Sequence, residues 1–134
     1  MAKHNEYGKF GEDLAANFLK KSGYKIIARN YKCRAGEIDI IALETKKARK
    51  KTEDYLKMSR YLKDEDVLVF AEVKSRESKL YGAPYEAVDN FKRHQYENAS
   101  YIFMKENGYN DVQFRFDIIE VVEDKVENHF KNAF

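Results

Sequence analysis

Apolar residues at helical spacing open the chain: Phe10, Leu14, Ala15, Phe18 and Leu19 recur between Tyr7 and Ser22, and Gly23 follows as a stop, which predicts a first helix. The pattern then changes to short strand-like runs. Tyr24–Asn30 carries Ile26 and Ile27, and Ala35–Leu43 reads A-G-E-I-D-I-I-A-L, so two strands are expected there. Val67–Lys74, V-L-V-F-A-E-V-K, has the strongest strand character in the chain. A loop with Gly82 and Pro84 leads into a second helical stretch that reaches Asn107, with Gly108 past its end, and Gln113–Val122 reads as the last strand. The expected order is α-β-β-β-α-β, an α/β fold with a mixed central sheet flanked by helices.

One stretch does not fit this rhythm. Glu44–Asp66 carries eight Lys/Arg and six Asp/Glu, no Gly or Pro, and only Tyr55, Leu56, Met58, Tyr61 and Leu62 as larger apolar residues. It reads as a charged, helical insertion between two strands, serving either as a solvated connector or as an arm whose Lys46, Lys47, Arg49, Lys50 and Lys51 meet phosphates.

Composition narrows the class. A chain of 134 residues with 43% apolar and 14% aromatic residues suits a single domain over 1–134 rather than a disordered segment. The longest apolar runs, Ile40–Leu43 and Val67–Ala71, fall far short of the roughly 20 residues of a membrane span. No secretory signal is evident at the start, so a cytoplasmic location is expected. Cys33 alone, with His4, His94 and His129 scattered, cannot build a Cys/His zinc cage, so any metal must be held by oxygen. The net charge of +2 means that a nucleic-acid partner has to be argued from local features.

Those features are charges that interrupt apolar faces, where they are costly unless paired or bound. Alternation in the second strand puts Ile38, Ile40 and Ala42 on one face and Glu37, Asp39 and Ile41 on the other. In the third strand, Glu72 and Lys74 share a face with Leu68 and Phe70. If the two strands form a hairpin, Asp39 faces Glu72, and two carboxylates and an ammonium share one patch. Close carboxylates repel, and a divalent cation resolves the conflict: Mg²⁺ takes one or two carboxylates plus waters and phosphate oxygens. Lys74 is placed to hold or polarise an attacking water and to offset charge at a phosphoryl transition state. The plainer alternative is an exposed cross-strand salt bridge worth less than about 1 kcal/mol. On helical wheels, Glu12 falls inside the apolar arc of the first helix, and Lys92 and Gln95 interrupt the arc of Val88, Phe91, Ala99, Ile102 and Phe103 in the second. Each of these three, taken alone, also suits a side chain that snorkels to solvent.

The strings G-K-F-G-E-D-L-A at 8–15, R-N-Y at 29–31, G-E-I-D-I-I-A at 36–42, V-F-A-E-V-K-S-R at 69–76, Y-G-A-P-Y-E-A-V at 81–88 and R-F-D at 115–117 resemble the YraN family of bacterial proteins over nearly the whole chain. That family is similar to the PD-(D/E)XK, restriction-endonuclease-like nuclease superfamily, and especially to Holliday junction resolvases. The resemblance implies a restriction-endonuclease-like core and one or two Mg²⁺ or Mn²⁺ ions held by Asp39, Glu72 and the Val73 carbonyl. It further implies Glu12 at the metal directly or through water, and Lys74 positioning the water. It also implies phosphate contacts from Lys92 and Gln95. Arg76 suits a phosphate contact or a solvated loop. Where the superfamily has Pro-Asp, this chain has Gly36-Glu37 two residues before Asp39, and Glu37 reads as a supporting residue rather than a ligand. The family generally has a short turn in place of the Glu44–Asp66 insertion.

The expected function is metal-dependent hydrolysis of phosphodiester bonds in DNA, branched DNA among the candidates, with a homodimer expected only by analogy. The alternatives are a non-catalytic nucleic-acid-binding or assembly module on the same fold, and an ion-paired scaffold without a ligand. Tyr7, Tyr81, Tyr85 and Tyr96 are candidates for base stacking, or for ordinary packing.

Overall fold

The structure, a computed structural model, describes residues 2–45, 66–76 and 90–134, with side chains from residue 9 onward. In chain order the elements are α1 (Ala2–Lys21), β1 (Lys25–Cys33), β2 (Gly36–Glu44), β3 (Val67–Arg76), α2 (Asn90–Glu106), β4 (Gln113–Val122) and β5 (Lys125–Phe130). The strands form one mixed sheet in the order β1-β2-β3-β4-β5, in which β3 and β4 run parallel and the other neighbours antiparallel.

Each helix covers one face of the sheet. Ala15, Ala16 and Leu19 of α1 pack with Ile40, Ala42, Val67, Val69, Ala71, Ile119 and Val121. Tyr96, Ala99 and Phe103 of α2 pack with Ile41, Leu68 and Phe70 on the other side. Because β3 is covered on both faces, its first half is an unbroken apolar run, as a central strand requires. The end of α1 is closed by two backbone bonds, Tyr24 N–H to the Leu19 carbonyl (2.9 Å) and Gly23 N–H to the Lys20 carbonyl (3.0 Å). Gly36 meets a different demand. Its φ is +144°, which L side chains rarely adopt, and an added Cβ would lie 3.3 Å from Gln95 Cβ, so glycine relieves both backbone strain and a tight contact with α2 at the start of β2.

The structure departs from the sequence reading in three places. β5 was not expected: K-V-E-N-H-F alternates weakly, and its turn is Glu123-Asp124, with Glu123 at φ 58° instead of the usual Asn-Gly. The alternation of β2 breaks at Asp39, because Ile38 packs on the α2 side with Ile41 whereas Ile40 packs on the α1 side. Asp39 lies between the pairs Arg29↔Ile40 and Tyr31↔Ile38, across from Asn30 at φ 54°, and the register of the same hairpin shifts between Ile26 and Ala28. Finally, Phe10 and Phe91 leave the arcs assigned to them: they are 45% and 73% exposed. Nearly all of the Glu44–Asp66 insertion, the loop with Gly82 and Pro84, Tyr81, Tyr85 and Val88 lie outside the described residues. Among the described residues no helix is long and apolar enough to cross a membrane.

Candidate functional site

The β2–β3 ladder runs from Glu44↔Val67 to Ile40↔Ala71 and stops there. Past that point β2 stays with β1 as far as Gly36, and β3 stays with β4 as far as Arg76, so the sheet forks. Asp39 and Glu72 are the first residues beyond the fork on their strands. Asp39 turns into the gap, where its Oδ2 accepts a 2.8 Å hydrogen bond from the Val73 N–H. The Tyr96 hydroxyl from α2 fills the same gap, 3.4 Å from the Asp39 N–H and 3.5 Å from the Ala71 carbonyl. It takes the place of ladder bonds that the fork removes. Tyr96 is 1% exposed, so it does not stack on bases, and burial beside Asp39 and Glu72 drives its pKa far up.

Carboxylates reach the fork from both faces. Glu72 lies on the α2 side, with Oε1 3.3 Å from Lys92 Nζ and Oε2 buried without a hydrogen-bond partner among the described residues. Glu12 comes from α1, and its Oε1 is likewise buried and unpartnered among the described residues. A side chain at Gly11 would overlap Ser75, so glycine there lets α1 lie close to β3 and brings Glu12 to the site. Burial raises the pKa of Glu12; Arg29 opposes this, Glu37 and Asp13 add to it, and a hydrogen bond with Asn30 opposes it. Asp39 is pushed up to about 6, first by burial; the Val73 bond opposes this, Glu12 and Glu72 add to it, and Lys92 opposes it. Asp39 therefore feels Glu12, Glu72 and Lys92 together.

The remaining expected residues fall into distinct places. Lys74 is half-buried, two residues beyond Glu72, and in register with Glu120 of β4. Arg76 is not in a solvated loop: it ends β3, with Nε 3.6 Å from the Oε2 of Glu120, which is 1% exposed. Gln95 packs against Gly36, and Glu37 is exposed, near enough to act on Glu12 through its charge. Two residues of this region were missed. Glu120 was legible as a charge inside I-I-E-V-V, and it also accepts 2.7 Å from Asn128 Nδ2. Tyr96 was not legible as a bridge, because its role depends on a gap in the sheet.

The oxygens of Glu12 and Glu72 that have no partner among the described residues, beside the Asp39 carboxylate, fit a hard cation that takes oxygen ligands. Among the described residues no group of three or more His, Cys, Asp or Glu is gathered at ion-holding spacing. The arrangement thus suits an ion on one or two carboxylates, completed by water and phosphate oxygens.

Other features of the molecule are separate from this site. On the α1 face, Asp117 binds His129 Nε2 at 2.7 Å and Arg115 Nε at 2.9 Å, while Arg115 Nη2 reaches Glu44 at 2.9 Å and the Tyr24 hydroxyl at 2.9 Å. Every charge in that buried network has a partner, which suits a structural role. A cavity of about 590 Å³ lies at the far end of α2, lined by Tyr101, Met104, Tyr109, Val112 and Phe114, away from the fork.

A family model described as "Uncharacterised protein family UPF0102" matches residues 11–121. A UPF0102 protein of Clostridium botulinum strain Loch Maree is 37% identical over 137 residues, covering 98% of this chain and 95% of the relative. A UPF0102 protein of Clostridium kluyveri is 38% identical over 119 residues, covering 89% and 81% respectively. The span matched by the family model contains Glu12, Asp39, Glu72, Lys74, Lys92, Tyr96 and Glu120.

Proposed function

This chain belongs to the UPF0102 family, the YraN proteins that its sequence strings resemble, and we propose that the site at its forked sheet hydrolyses phosphodiester bonds in DNA with the help of Mg²⁺ or Mn²⁺. The observation that carries this reading is that the charges of Glu12 and Glu72 both act on the buried Asp39, while each glutamate keeps one buried oxygen without a hydrogen-bond partner among the described residues. The cluster around Asp117 has a charged partner for each acid, whereas burial raises the pKa of both Glu12 and Asp39 despite nearby cations, and perturbed acids of that kind concentrate at working sites. The resemblance to PD-(D/E)XK nucleases and Holliday junction resolvases supports the same reading, with branched DNA as a candidate substrate and a two-fold dimer as the form suited to a junction.

In this mechanism Asp39 and Glu72 would hold the ion, the Val73 carbonyl would add a ligand, and Glu12 would act on it directly or through water. When bound, such an ion would supply positive charge to offset charge on the phosphoryl oxygens and would favour ionisation of a water. The Val73 N–H fixes the rotamer of Asp39, and Tyr96 fixes its backbone. Lys74 orients the attacking water and stabilises developing negative charge. Lys92 and Arg76 contact the phosphate backbone, and Gln95 packs α2 against the start of β2 so that Lys92 is presented to the site.

The test is cleavage of labelled duplex, single-stranded, flap and four-way-junction DNA with Mn²⁺, Mg²⁺ or EDTA. Wild type should cut with either ion, and Asp39→Asn, Glu72→Gln and Lys74→Ala should each lose at least about a hundredfold. Binding without cutting by every form would instead assign a non-catalytic nucleic-acid-binding module. Cutting that survives all three substitutions would belong to another site.

A further inference from the structure

Lys92 lies where it can do more than touch phosphate. Its ammonium sits 3.3 Å from Glu72 Oε1, and it lies 5.7 Å from the centre of the Tyr96 ring, one helical turn further along α2. The two partners differ in access: the Lys92 side chain is 40% exposed, and that of Glu72 is 12% exposed. The carboxylate is confined at the fork, whereas the ammonium has a route to solvent. Glu12, Asp39 and Glu72 bring three carboxyl groups to a region in which Lys92 contributes a positive charge at the Glu72 oxygen.

We infer that Lys92 is a stand-in cation: it neutralises Glu72 while the site holds no divalent ion, leaves when an ion takes the Glu72 carboxylate, and is then delivered to the substrate phosphate. This rests on the ion site proposed above and adds the coupling of ion occupancy to phosphate binding. An ion on the open Oε2 and an ammonium at Oε1 share one carboxylate charge and repel each other at close range, so the two cations compete. Displacement moves the ammonium toward solvent at the mouth of the fork, where the substrate arrives. Occupancy by the ion and affinity for DNA therefore rise together, and by linkage each strengthens the other.

The experiment is titration of Mn²⁺, followed by the electron paramagnetic resonance of the unbound ion, on wild type, Lys92→Met, Asp39→Asn and the double variant Lys92→Met/Glu72→Gln, with thermal melting in EDTA and in Mn²⁺. Methionine keeps an unbranched stem beside Tyr96 and removes the charge. Lys92→Met should bind Mn²⁺ about fivefold more tightly than wild type, the size expected for losing a competing, partly exposed ion pair. It should melt lower than wild type in EDTA, with the gap closing as Mn²⁺ is added, and the double variant should recover most of the EDTA loss. Unchanged or weaker Mn²⁺ binding by Lys92→Met, while Asp39→Asn binds far less than wild type, overturns the stand-in role and leaves the ion site intact. No Mn²⁺ binding by either wild type or Lys92→Met overturns the ion site and the stand-in role together, and the EDTA melts then read the Lys92–Glu72 pair on its own.

Discussion

Asp39→Asn should stabilise the ion-free protein while abolishing cleavage. In the folded chain Asp39 has a pKa near 6, against an ordinary value of 3.8, because burial and the charges of Glu12 and Glu72 outweigh the Val73 bond and Lys92. Between those two values the folded state holds a proton that the unfolded state has released. Wild-type stability therefore falls as pH rises from about 4 to about 6, and the full cost persists above that window. At about 1.4 kcal/mol for each tenfold in proton affinity, the ceiling on that cost is about 3 kcal/mol, and local relaxation brings the expectation to about 1–3 kcal/mol. Asparagine can keep the acceptor for the Val73 N–H and turn an amide donor toward the carboxylates. Urea denaturation in EDTA at pH 7.5 should give a midpoint for Asp39→Asn above that of wild type, with the difference shrinking toward pH 4. Equal or lower stability of the variant at pH 7.5, or a difference that does not change with pH, would refute the reasoning. If Asp39 is needed for the proposed hydrolysis, a stability gain in Asp39→Asn is the trade-off expected of a site assembled before its ligand arrives.

Tyr96→Phe removes the hydroxyl between the Asp39 N–H and the Ala71 carbonyl; long bonds of 3.4 and 3.5 Å predict a loss of about 1 kcal/mol in urea melts and faster hydrogen exchange at the Asp39 amide. Gly36→Ala must place a Cβ 3.3 Å from Gln95 at a φ of +144°, and a destabilisation of about 1–3 kcal/mol should appear in the same assay. Arg115→Met takes one cation from both Asp117 and Glu44 in the buried network, which predicts a loss of about 3–5 kcal/mol at neutral pH. Acid should also destabilise the wild type through that network. Burial pulls the Asp117 pKa upward, but the His129 bond and Arg115 outweigh it and hold the carboxyl below 3.8, so the stability it contributes is present above that value and lost as pH falls through its folded pKa, the opposite sign to Asp39. A pH series of wild-type and Asp39→Asn urea melts from 3 to 7.5 separates the two effects.

Much of the molecule was legible in the chain because the relevant signals are local. Periods of 3.6 and 2 marked both helices and the first four strands, and the charges that interrupt them, Glu12, Asp39, Glu72, Lys92 and Glu120, mark the fork and its surroundings. The weakly patterned β5 escaped because its K-V-E-N-H-F run shows no clear apolar alternation, and only its pairing with β4 and the packing of Val126 and His129 reveal it as a strand.

Tertiary structure decided where those charges meet. Alternation placed Ile38 with Ile40, whereas the folded chain puts them in the cores on opposite faces of the sheet and brings Asp39 to the Val73 N–H in the gap. Glu12 and Glu72 come from helix and strand positions on opposite sides of the sheet, and they approach one Asp because the ladder ends at Ile40↔Ala71 and the strands part. Tyr96 bridges that gap, and Lys92, one helical turn before it, meets Glu72. Periodicity reports which way a residue points relative to its own element. Whether two elements stay paired or separate is settled by long-range packing and hydrogen bonding, which a local pattern does not encode.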